Sequence, residues 1–428
     1  MNFNMNLTAK PFKHQQDFIE FSDKYKWTLC GDEMGLGKTL SAIGISVSMG
    51  GKTLVVSPAF LKFNWKAEFL KFTDIEESEI FIVGDRFTKL TKDTKVIITS
   101  YSRLKLSMEY FSWADHVIAD EAHYLKNLLA KRTRNFHNGV SKAHPARLTL
   151  LSGTAVKNRV AEFYSLLKLL AHCPSNGKKI SDKFRTEANF ARHFSNEIVR
   201  NINVRGRRVE LRTYEGLKNE KELRTYFQKK YMRRLTRDVI DLPALLERYV
   251  EVKYSFDDKE LENYEQYKGK KEGHIMAIKR GSAMAKASFT TDYAKNIFEE
   301  TNRPVVIFSD HVDPVHIIAS GLKRSAYITG STKMEDRHAI VSDFQSGKLD
   351  YLVATIGAAS TGITLTAAQD LVFNDMSYIP ADNAQASKRI HRIGQNNTCR
   401  IHKMCGSVVD RMIMTSLTSK QEVIDKVL

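Results

Sequence analysis

The residues best placed to do chemistry are a glycine-rich segment ending in Lys-Thr, Gly31–Thr39 (Gly-Asp-Glu-Met-Gly-Leu-Gly-Lys-Thr). Glycines let successive backbone N–H groups point at a phosphate chain, while the lysine adds positive charge and the Thr39 hydroxyl can hold Mg²⁺. Asp32 stands where the strict phosphate-loop pattern has its first glycine. The residues expected to contact ATP are Asp32, Glu33, Met34, Gly35, Leu36, Gly37, Lys38 and Thr39.

A phosphate loop needs a strand before it and a helix after it. The apolar run Trp27–Cys30 predicts a short buried strand, and the small residues of Leu40–Met49 predict a helix. The local context therefore supports a nucleotide site.

A second group of candidate catalytic residues is Asp120-Glu121-Ala122-His123, which directly follows the apolar run Val117–Ala119. Both carboxylates then lie at the carboxyl end of a strand, where open α/β sheets bind ligands. Asp120 is expected to complete the Mg²⁺ shell, and Glu121 to orient and deprotonate the attacking water. Adjacent carboxylates are common, but this pair follows a phosphate loop along the chain and so indicates ATP hydrolysis.

Near the end of the chain, Arg389 and Arg392 stand three residues apart, a spacing that predicts one face of a helix. Arginines there can stabilise the charge of a transferring phosphoryl group, and their place in a second lobe would couple hydrolysis to closure between lobes. Taken alone, the segment favours an exposed basic helix.

The charge of the chain favours a polyanionic partner, with nucleic acid as the first candidate. Its 428 residues carry a formal net charge of +17, and 18 of the 66 Lys and Arg but only 8 of the 49 Asp and Glu fall within 178–238. A hairpin turning near Gly206 would put Arg205, Arg207 and Arg208 at an exposed tip. The alternatives are a solvated loop and a merely soluble basic surface.

The four cysteines show neither metal-binding spacing nor the density of a disulfide framework, which indicates a reducing, cytoplasmic compartment. The first residues lack a secretory pattern, and no apolar stretch approaches the length of about 18 residues that indicates a membrane span. Nothing in the sequence directs the chain to a membrane.

Short β-branched runs separated by longer amphipathic segments predict an α/β fold with parallel sheets in two lobes. The first set spans 53–152 and the second 304–373, and the basic region between them is predicted to be mostly helical. We predict an N-terminal ATP-binding lobe over 1–172, a basic helical insertion over 173–243, and a C-terminal lobe over 244–428.

The motifs occur in an order that resembles the Swi/Snf family of superfamily-two helicase-like ATPases. They are Asp-Glu-Met-Gly-Leu-Gly-Lys-Thr (32–39), Asp-Glu-Ala-His (120–123), Ser-Gly-Thr (152–154), Thr-Gly-Ile-Thr-Leu-Thr (361–366) and His-Arg-Ile-Gly-Gln (391–395). The segment 232–243 resembles the family's linker, and the compact insertions resemble the small HARP-type annealing helicases and their bacterial and phage relatives. The resemblance implies ATP bound between two RecA-like lobes, DNA-stimulated hydrolysis and translocation along duplex DNA.

The resemblance also assigns residues. Gln15 corresponds to the adenine-reading glutamine, and Gly362 to a nucleotide-site residue. Segments that touch or flank the DNA backbone include Ser57, Trp65, Ser100, Tyr101, Ser309, His311 and Thr329. Residues that couple the ATP and DNA sites are His123, Ser152, Gly153, Thr154 and Gln395. The chain departs from the family at Ala155, where proline is usual, and at 361–365.

The sequence therefore predicts a monomeric motor that uses ATP and Mg²⁺ on double-stranded or forked DNA, without sequence preference, with a protein partner on DNA as a further expectation. Its compact size favours a bacterial or phage source, with a nucleus left open. The alternatives are a strand-separating DNA or RNA helicase, an ATPase that recycles RNA polymerase from DNA, and a nucleic-acid-binding scaffold with a vestigial ATP site.

Overall fold

The structure is a computed structural model that describes residues 5–153, 160–173, 179–204, 207–252, 272–359, 362–406, 410–415 and 417. The chain divides into two compact units, with the border between Val239 and Ile240. Each unit is built around one parallel sheet. The two parallel sheets predicted from the sequence are therefore confirmed.

The strands of the first unit are β1 Trp27–Cys30, β2 Thr53–Ser57, β3 Ile80–Ile82, β4 Val96–Ser100, β5 His116–Asp120, β6 Arg147–Leu151, β7 Asn196–Val204, β8 Arg207–Glu215 and β9 Tyr231–Met232. Its α-helices are α1 Lys13–Tyr25, α2 Lys38–Met49, α3 Lys62–Phe72, α4 Glu109–Trp113, α5 Lys131–Ala143, α6 Phe163–Leu170, α7 Glu187–Phe194, α8 Glu220–Phe227 and α9 Thr236–Val239. Short 3-10 helices span Ala59–Leu61, Glu77–Glu79, Tyr101–Ser107, Ala122–Leu125, Val160–Glu162 and Ile180–Asp182.

The first sheet has the order β3-β4-β2-β5-β6-β1-β9, and all of its pairings are parallel. Its strands are apolar on both faces because helices cover both sides. Along β2, for example, Leu54 and Val56 join one buried cluster while Val55 joins the cluster on the opposite face. The predicted strands at 27–30 and 53–57 match the observed ones.

The strands of the second unit are β10 Leu245–Glu251, β11 Val305–Ser309, β12 Ser325–Ile328, β13 Tyr351–Thr355, β14 Asp370–Phe373 and β15 Cys399–Cys405. Its α-helices are α10 Glu272–Thr301, α11 Val312–Ser320, α12 Met334–Gln345, α13 Ile356–Ala359 and α14 Pro380–Ser387. The parallel sheet has the order β10-β15-β14-β11-β13-β12. Among the helices described in either unit, none has the length and apolar character needed to cross a membrane.

The segment between the lobes is mixed rather than mostly helical, which corrects the prediction. Nine residues in each of β7 and β8 pair antiparallel, with Val204 opposite Arg207, so the predicted hairpin forms and is longer than expected. The β-branched residues Ile198, Val199, Ile202 and Val204 favour a strand over a helix in this segment. Aromatic residues of α7 and α8 join the core of the first unit, so this segment packs as part of that unit.

Candidate active site

The candidate catalytic residues follow three neighbouring strands of the first sheet. Leu151 at the end of β6 lies opposite both Cys30 of β1 and Asp120 of β5. The phosphate loop leaves β1, the Asp-Glu pair ends β5, and Ser152 leaves the strand between them, with its N–H donating to the Cys30 carbonyl at 3.0 Å. Because the carboxyl ends of parallel strands meet at one edge, the three motifs converge there.

The phosphate loop has the backbone that its glycines predict. Gly35 and Gly37 adopt φ values of 90° and 73°, which favour glycine, and α2 begins at Lys38 directly after them. Lys38 Nζ donates to the carbonyl oxygens of Asp32 at 2.8 Å and Glu33 at 3.1 Å. The loop thus curls around its own lysine, at the start of a helix where the dipole favours an anion.

Gly153 brings the β6 end against this loop. A Cβ built on Gly153 would lie 3.0 Å from Lys38 Nζ and 2.8 Å from Met34 Cγ. A larger residue at this position would displace the lysine or the methionine. The close contact between the predicted coupling segment and the phosphate loop therefore requires a glycine at position 153.

Gln15, predicted to read adenine, braces the loop in this structure. Its Nε2 donates to the carbonyl oxygens of Leu36 at 3.1 Å and Gly37 at 3.3 Å, while its Oε1 accepts the Phe12 N–H at 2.9 Å. His14 Nε2 also lies 2.9 Å from the Leu36 carbonyl oxygen. The first turn of α1 therefore holds the Leu36–Gly37 part of the phosphate loop.

Asp32 has a partner that the sequence reasoning missed. Arg234 Nε and Nη2 donate to its two carboxylate oxygens at 3.0 and 2.6 Å, and Arg234 Nη1 reaches the His14 carbonyl oxygen. Asp32 is 1% exposed, so the bidentate pair is largely removed from water. The structure therefore gives the Asp32 carboxylate a bracing role, and contact of Asp32 with ATP stays a prediction. An aspartate at a glycine position of the loop, with paired arginines in the linker, was the available signal.

The same linker makes two more attachments to the loop. The Gly31 N–H donates to the Met232 carbonyl at 2.8 Å, and the Thr236 N–H donates to Glu33 Oε2 at 2.7 Å. Glu33, also predicted to contact ATP, thus has its carboxylate engaged by the start of α9. Residues 232–236 therefore run beside the first part of the loop, from Gly31 to Glu33.

Asp120 is held by neutral donors rather than by a cation. Trp65 Nε1 donates to Oδ2 and the Glu121 N–H donates to Oδ1, both at 2.8 Å. Burial, with the nearby Glu121 carboxylate as the second cause, raises the pKa of Asp120 to about 7. Tyr101 OH donates to the Asp120 carbonyl oxygen at 2.7 Å, so the end of β5 is fixed through its backbone as well.

Glu121 has a φ of 50° and a ψ of 52°, a left-handed conformation that a non-glycine residue rarely adopts. Its Oε2 lies 3.0 Å from His123 Nδ1, and Ser152 Oγ lies 3.5 Å from the same nitrogen. The strained backbone and the histidine contact orient the Glu121 carboxylate. His123 therefore links the candidate base to Ser152 of the predicted coupling segment.

The residues at this edge fit a divalent cation. A carboxylate whose charged form is destabilised by burial and by a second carboxylate gains from a nearby metal ion, and hard cations prefer oxygen ligands. Thr39, the second residue of α2, supplies a hydroxyl of the kind that completes such a set. Asp120 and Thr39 are therefore the residues that would hold Mg²⁺.

Most predicted nucleic-acid contacts prove to be buried. The side chains removed from solvent are Ser57, Trp65, Ser100, Tyr101, Ser309 and Thr329. Trp65 donates to Asp120 and Ser309 donates to Asp375, so both bind inside the protein instead of offering a side chain to DNA. The side-chain polar atoms of these six residues bond within the chain itself, and DNA contact by their segments stays a prediction. His311 keeps 15% of its side chain exposed and places Nδ1 3.0 Å from Asp375.

In the second unit, α14 ends at Ser387, so Arg389 and Arg392 lie beyond it and do not share a helix face as predicted. The Arg389 N–H donates to the Ala386 carbonyl at 3.0 Å in a turn, and Gly394 has a φ of 98° that a longer helix would exclude. Gln395 Nε2 donates to three carbonyl oxygens, those of Thr366, Ala368 and Ile390. Arg389 is 9% exposed, and Gly362 has a φ of 79°.

Several predicted residues belong to parts of the chain outside the described ranges. Thr154 and Arg205 lie outside the described residues, as does Ala155. The backbones of Arg207 and Arg208 form the start of β8, but their side chains are outside the description. The roles of these residues stay predictions.

The chain has two units with parallel sheets, and in the first a phosphate loop and an Asp-Glu pair lie at the carboxyl ends of neighbouring strands. This arrangement is that of the helicase-like class of proteins with a nucleotide site. The SNF2-related domain matches residues 15–303, and the helicase conserved C-terminal domain matches 290–394. The chain belongs to the SNF2-related family. The resemblance predicted from the motifs is confirmed.

Relatives include the DNA annealing helicase and endonuclease ZRANB3 of Bos taurus, 28% identical over 97% of this chain and 40% of that protein. The SWI/SNF-related matrix-associated actin-dependent regulator of chromatin subfamily A-like protein 1 of Drosophila melanogaster is 28% identical over 97% of this chain and 55% of its own length. The chain thus spans roughly half or less of these relatives. The Sulfolobus solfataricus SWI2/SNF2 ATPase core in complex with dsDNA is 20% identical, covers 99% of this chain and 98% of its own, and has a TM-score of 0.45.

Proposed function

We propose that this chain is a DNA-stimulated ATPase that moves along double-stranded DNA and remodels or reanneals DNA or protein–DNA complexes. The observation that carries the proposal is the convergence of Lys38, Gly153 and the Asp120–Glu121 pair at one sheet edge. Family membership supports it, as do relatives whose names describe DNA annealing helicases and chromatin regulators.

ATP is the proposed substrate of the phosphate loop. Lys38 exchanges its two carbonyl partners for phosphate oxygens, and the N–H groups at the start of α2 bind the remaining charge. Glu121, oriented by His123, accepts a proton from the attacking water. Mg²⁺ held by Thr39 and Asp120 would neutralise charge that develops on the phosphates.

Arg389 and Arg392 are proposed to reach the transferring phosphoryl group when the two lobes close, which would couple hydrolysis to movement along DNA. Contacts to the DNA backbone position a protein without reading sequence, so binding is expected to be sequence-independent. If about six to ten phosphates are neutralised, the affinity falls by orders of magnitude between low and moderate salt.

Steady-state ATP hydrolysis tests the proposal, measured at fixed low salt with no nucleic acid, duplex, forked DNA, single-stranded DNA or RNA. Stimulation by duplex or forked DNA, lost in Lys38→Ala, is the expected result. Lys142→Ala, which removes an exposed lysine at the end of α5, is the matched control and should behave as the native chain does. Stimulation by RNA or single strands alone would instead indicate a strand-separating helicase.

If the chain hydrolyses ATP under none of these conditions, the proposal is contradicted, and a scaffold with a vestigial ATP site is favoured. Displacement of a labelled strand separates the helicase alternative from a translocase. Retention of RNA polymerase by the chain, with release dependent on ATP, would favour the recycling alternative.

A further inference from the structure

A cavity of about 630 Å³ opens in the first unit beside two segments that the family resemblance connects with DNA, at Pro58 and Tyr101. This volume falls within the range of about 300–1,000 Å³ that small-molecule sites occupy. A sugar–phosphate backbone can be bound on an open surface and needs no such recess. The cavity therefore has room for a group bulkier than a phosphate.

The lining of the cavity combines rings with positive charge. Its aromatic residues are Phe60, Tyr101 and Tyr124, and its cationic residues are Lys105, Lys131 and Arg132. The residues described around it include no carboxylate. Lys131 and Arg132 also open α5, whose dipole adds positive potential at the same place. Aromatic faces beside cations are what single-stranded nucleic acid sites use.

Arg132 is exposed, yet the structure fixes its position. Its Nε donates to the Tyr124 carbonyl oxygen at 2.8 Å, and its guanidinium lies over the Tyr124 ring at 5.3 Å from the centroid. The Tyr124 ring in turn stacks on Tyr101, with centroids 5.3 Å apart and an interplanar angle of 6°. Arg132 thus presents a planar cation at the outside of an aromatic stack, and unpaired bases stack on guanidinium planes as they do on aromatic rings.

We propose that this cavity binds an unpaired DNA base at the junction between duplex and single strand, with the base on Arg132 and its flanking phosphates near Lys105 and Lys131. The inference rests on the proposed function, since a duplex passing Pro58 and Tyr101 brings the junction to the cavity. It goes further by assigning a preference for branched DNA to residues of the first unit. It also gives Lys105, Lys131 and Arg132, which are exposed in the cavity lining, a role in binding DNA.

The test compares equilibrium binding of the full chain to three DNAs at one salt concentration. They are a blunt duplex, the same duplex with a short tail of unpaired thymidines, and the same tail made of abasic sugar–phosphates. The thymidine tail should bind about fivefold or more tightly than the abasic tail, the lower end of what base stacking contributes. Arg132→Lys keeps the charge but removes the plane, so it should abolish this base-dependent gain while changing affinity for the abasic tail much less.

Arg134→Lys is the matched control, because Arg134 is exposed on the same helix but outside the cavity lining, and it should keep the full gain. Equal affinity for thymidine and abasic tails would overturn the proposal. Equal weakening of all three DNAs by Arg132→Lys would also overturn it, because Arg132 would then be a phosphate contact. Either result is compatible with duplex-stimulated ATP hydrolysis, whereas loss of that stimulation in the native chain would contradict the proposed function itself.

Discussion

Carboxylates gather at the carboxyl edge of both sheets, but the two units treat their charge differently. In the first unit, burial and the neighbouring Glu121 raise the pKa of Asp120 to about 7. In the second, burial opposes ionisation of Asp375, but hydrogen bonds from His311 and Ser309 and the charges of Lys286 and Lys279 outweigh it and hold its pKa below the usual value. The first cluster is short of positive charge, and the second is already compensated.

This contrast separates a candidate catalytic cluster from a structural one. Ligand atoms of Asp310, His311 and Asp375 lie within 4.8 Å of one another, a grouping that resembles a metal site. Lys279 nevertheless donates to Asp310, and Ser309 donates to Asp375, so protein groups fill the role that a cation would have. Spacing alone does not distinguish the two clusters, whereas the donors around each carboxylate do.

The largest expected effect is on turnover, and it belongs to the uncompensated cluster. Glu121→Gln keeps the size of the side chain but removes the base, so ATP hydrolysis should fall by about 10²–10⁴-fold while ATP binding persists. Single-turnover hydrolysis and nucleotide binding measure the two quantities. Glu109→Gln, at an exposed carboxylate in the same unit, should retain native turnover, and near-native hydrolysis by Glu121→Gln would remove it from the role of base.

A substitution in the compensated cluster of the second unit should instead lower the stability of that unit. Asp375→Asn removes a buried charge on which His311 and Ser309 depend, so the second unit should lose about 3 kcal/mol of stability at neutral pH. The folded pKa of Asp375 lies below 3.8, so this contribution persists down to about pH 4 and is lost only as the pH falls further. Native-state hydrogen exchange of β11 and β14 amides measures the loss within that unit.

Asp313→Asn is the control for that measurement, because Asp313 pairs with Arg280 at the surface and the change should cost at most about 1 kcal/mol. Equal exchange in the Asp375 and Asp313 variants would show that the compensation contributes nothing to stability.

Asp32 sharpens the comparison, because it is a compensated carboxylate inside the catalytic unit. Arg234→Lys replaces a bidentate pair by a single contact, so the phosphate loop should lose its fixed shape and the KM for ATP should rise about tenfold, or about 1.4 kcal/mol. Arg237→Lys, an exposed position in the same linker, should leave KM unchanged. A fall in kcat with an unchanged KM would contradict a role in shaping the loop.

The smallest effect has the opposite sign to that at Asp375. Asp120→Asn removes a charge that burial disfavours, so without nucleotide the first unit should gain about 1 kcal/mol at pH 8. The raised pKa means that the native state binds the proton more tightly, so the penalty grows from about pH 4 to about pH 7 and is complete above that. The gain measured by hydrogen exchange of β5 amides should therefore shrink as the pH falls. Destabilisation at pH 8 would show that Asp120 is compensated after all.

The strands and motifs were predictable because fully buried parallel strands carry continuous apolar runs. The bounds of β2, β11 and β14 follow directly from their sequences. In contrast, β10 and β15 escaped prediction, since β10 is exposed along much of its length and β15 mixes histidine, lysine and arginine with its apolar residues. Tertiary pairing between the two strands decides their structure where the local pattern does not.

The candidate site shows the same division. Glycine spacing predicted the phosphate loop, and a strand end predicted where Asp120 lies, because both depend on local sequence. The Arg234–Asp32 pair joins residues 202 positions apart, and Trp65 reaches Asp120 across 55 positions. Such pairs could not be predicted from one sequence, because nothing in the local pattern shows which residues meet when they are so far apart along the chain. Motif resemblance also marks a segment without saying which of its side chains face solvent, as Ser57 and Ser309 demonstrate.

The linker attachments described above have a mechanical consequence. The chain passes to the second unit at Ile240, just after β9 has paired with β1 and residues 232–236 have been fastened to Gly31, Asp32 and Glu33. A pull transmitted along the polypeptide from the second unit therefore meets the nucleotide-site loop before it reaches the rest of the first. Under the proposed function, a force that passes between the two units along the chain would therefore act directly on the loop that binds the nucleotide.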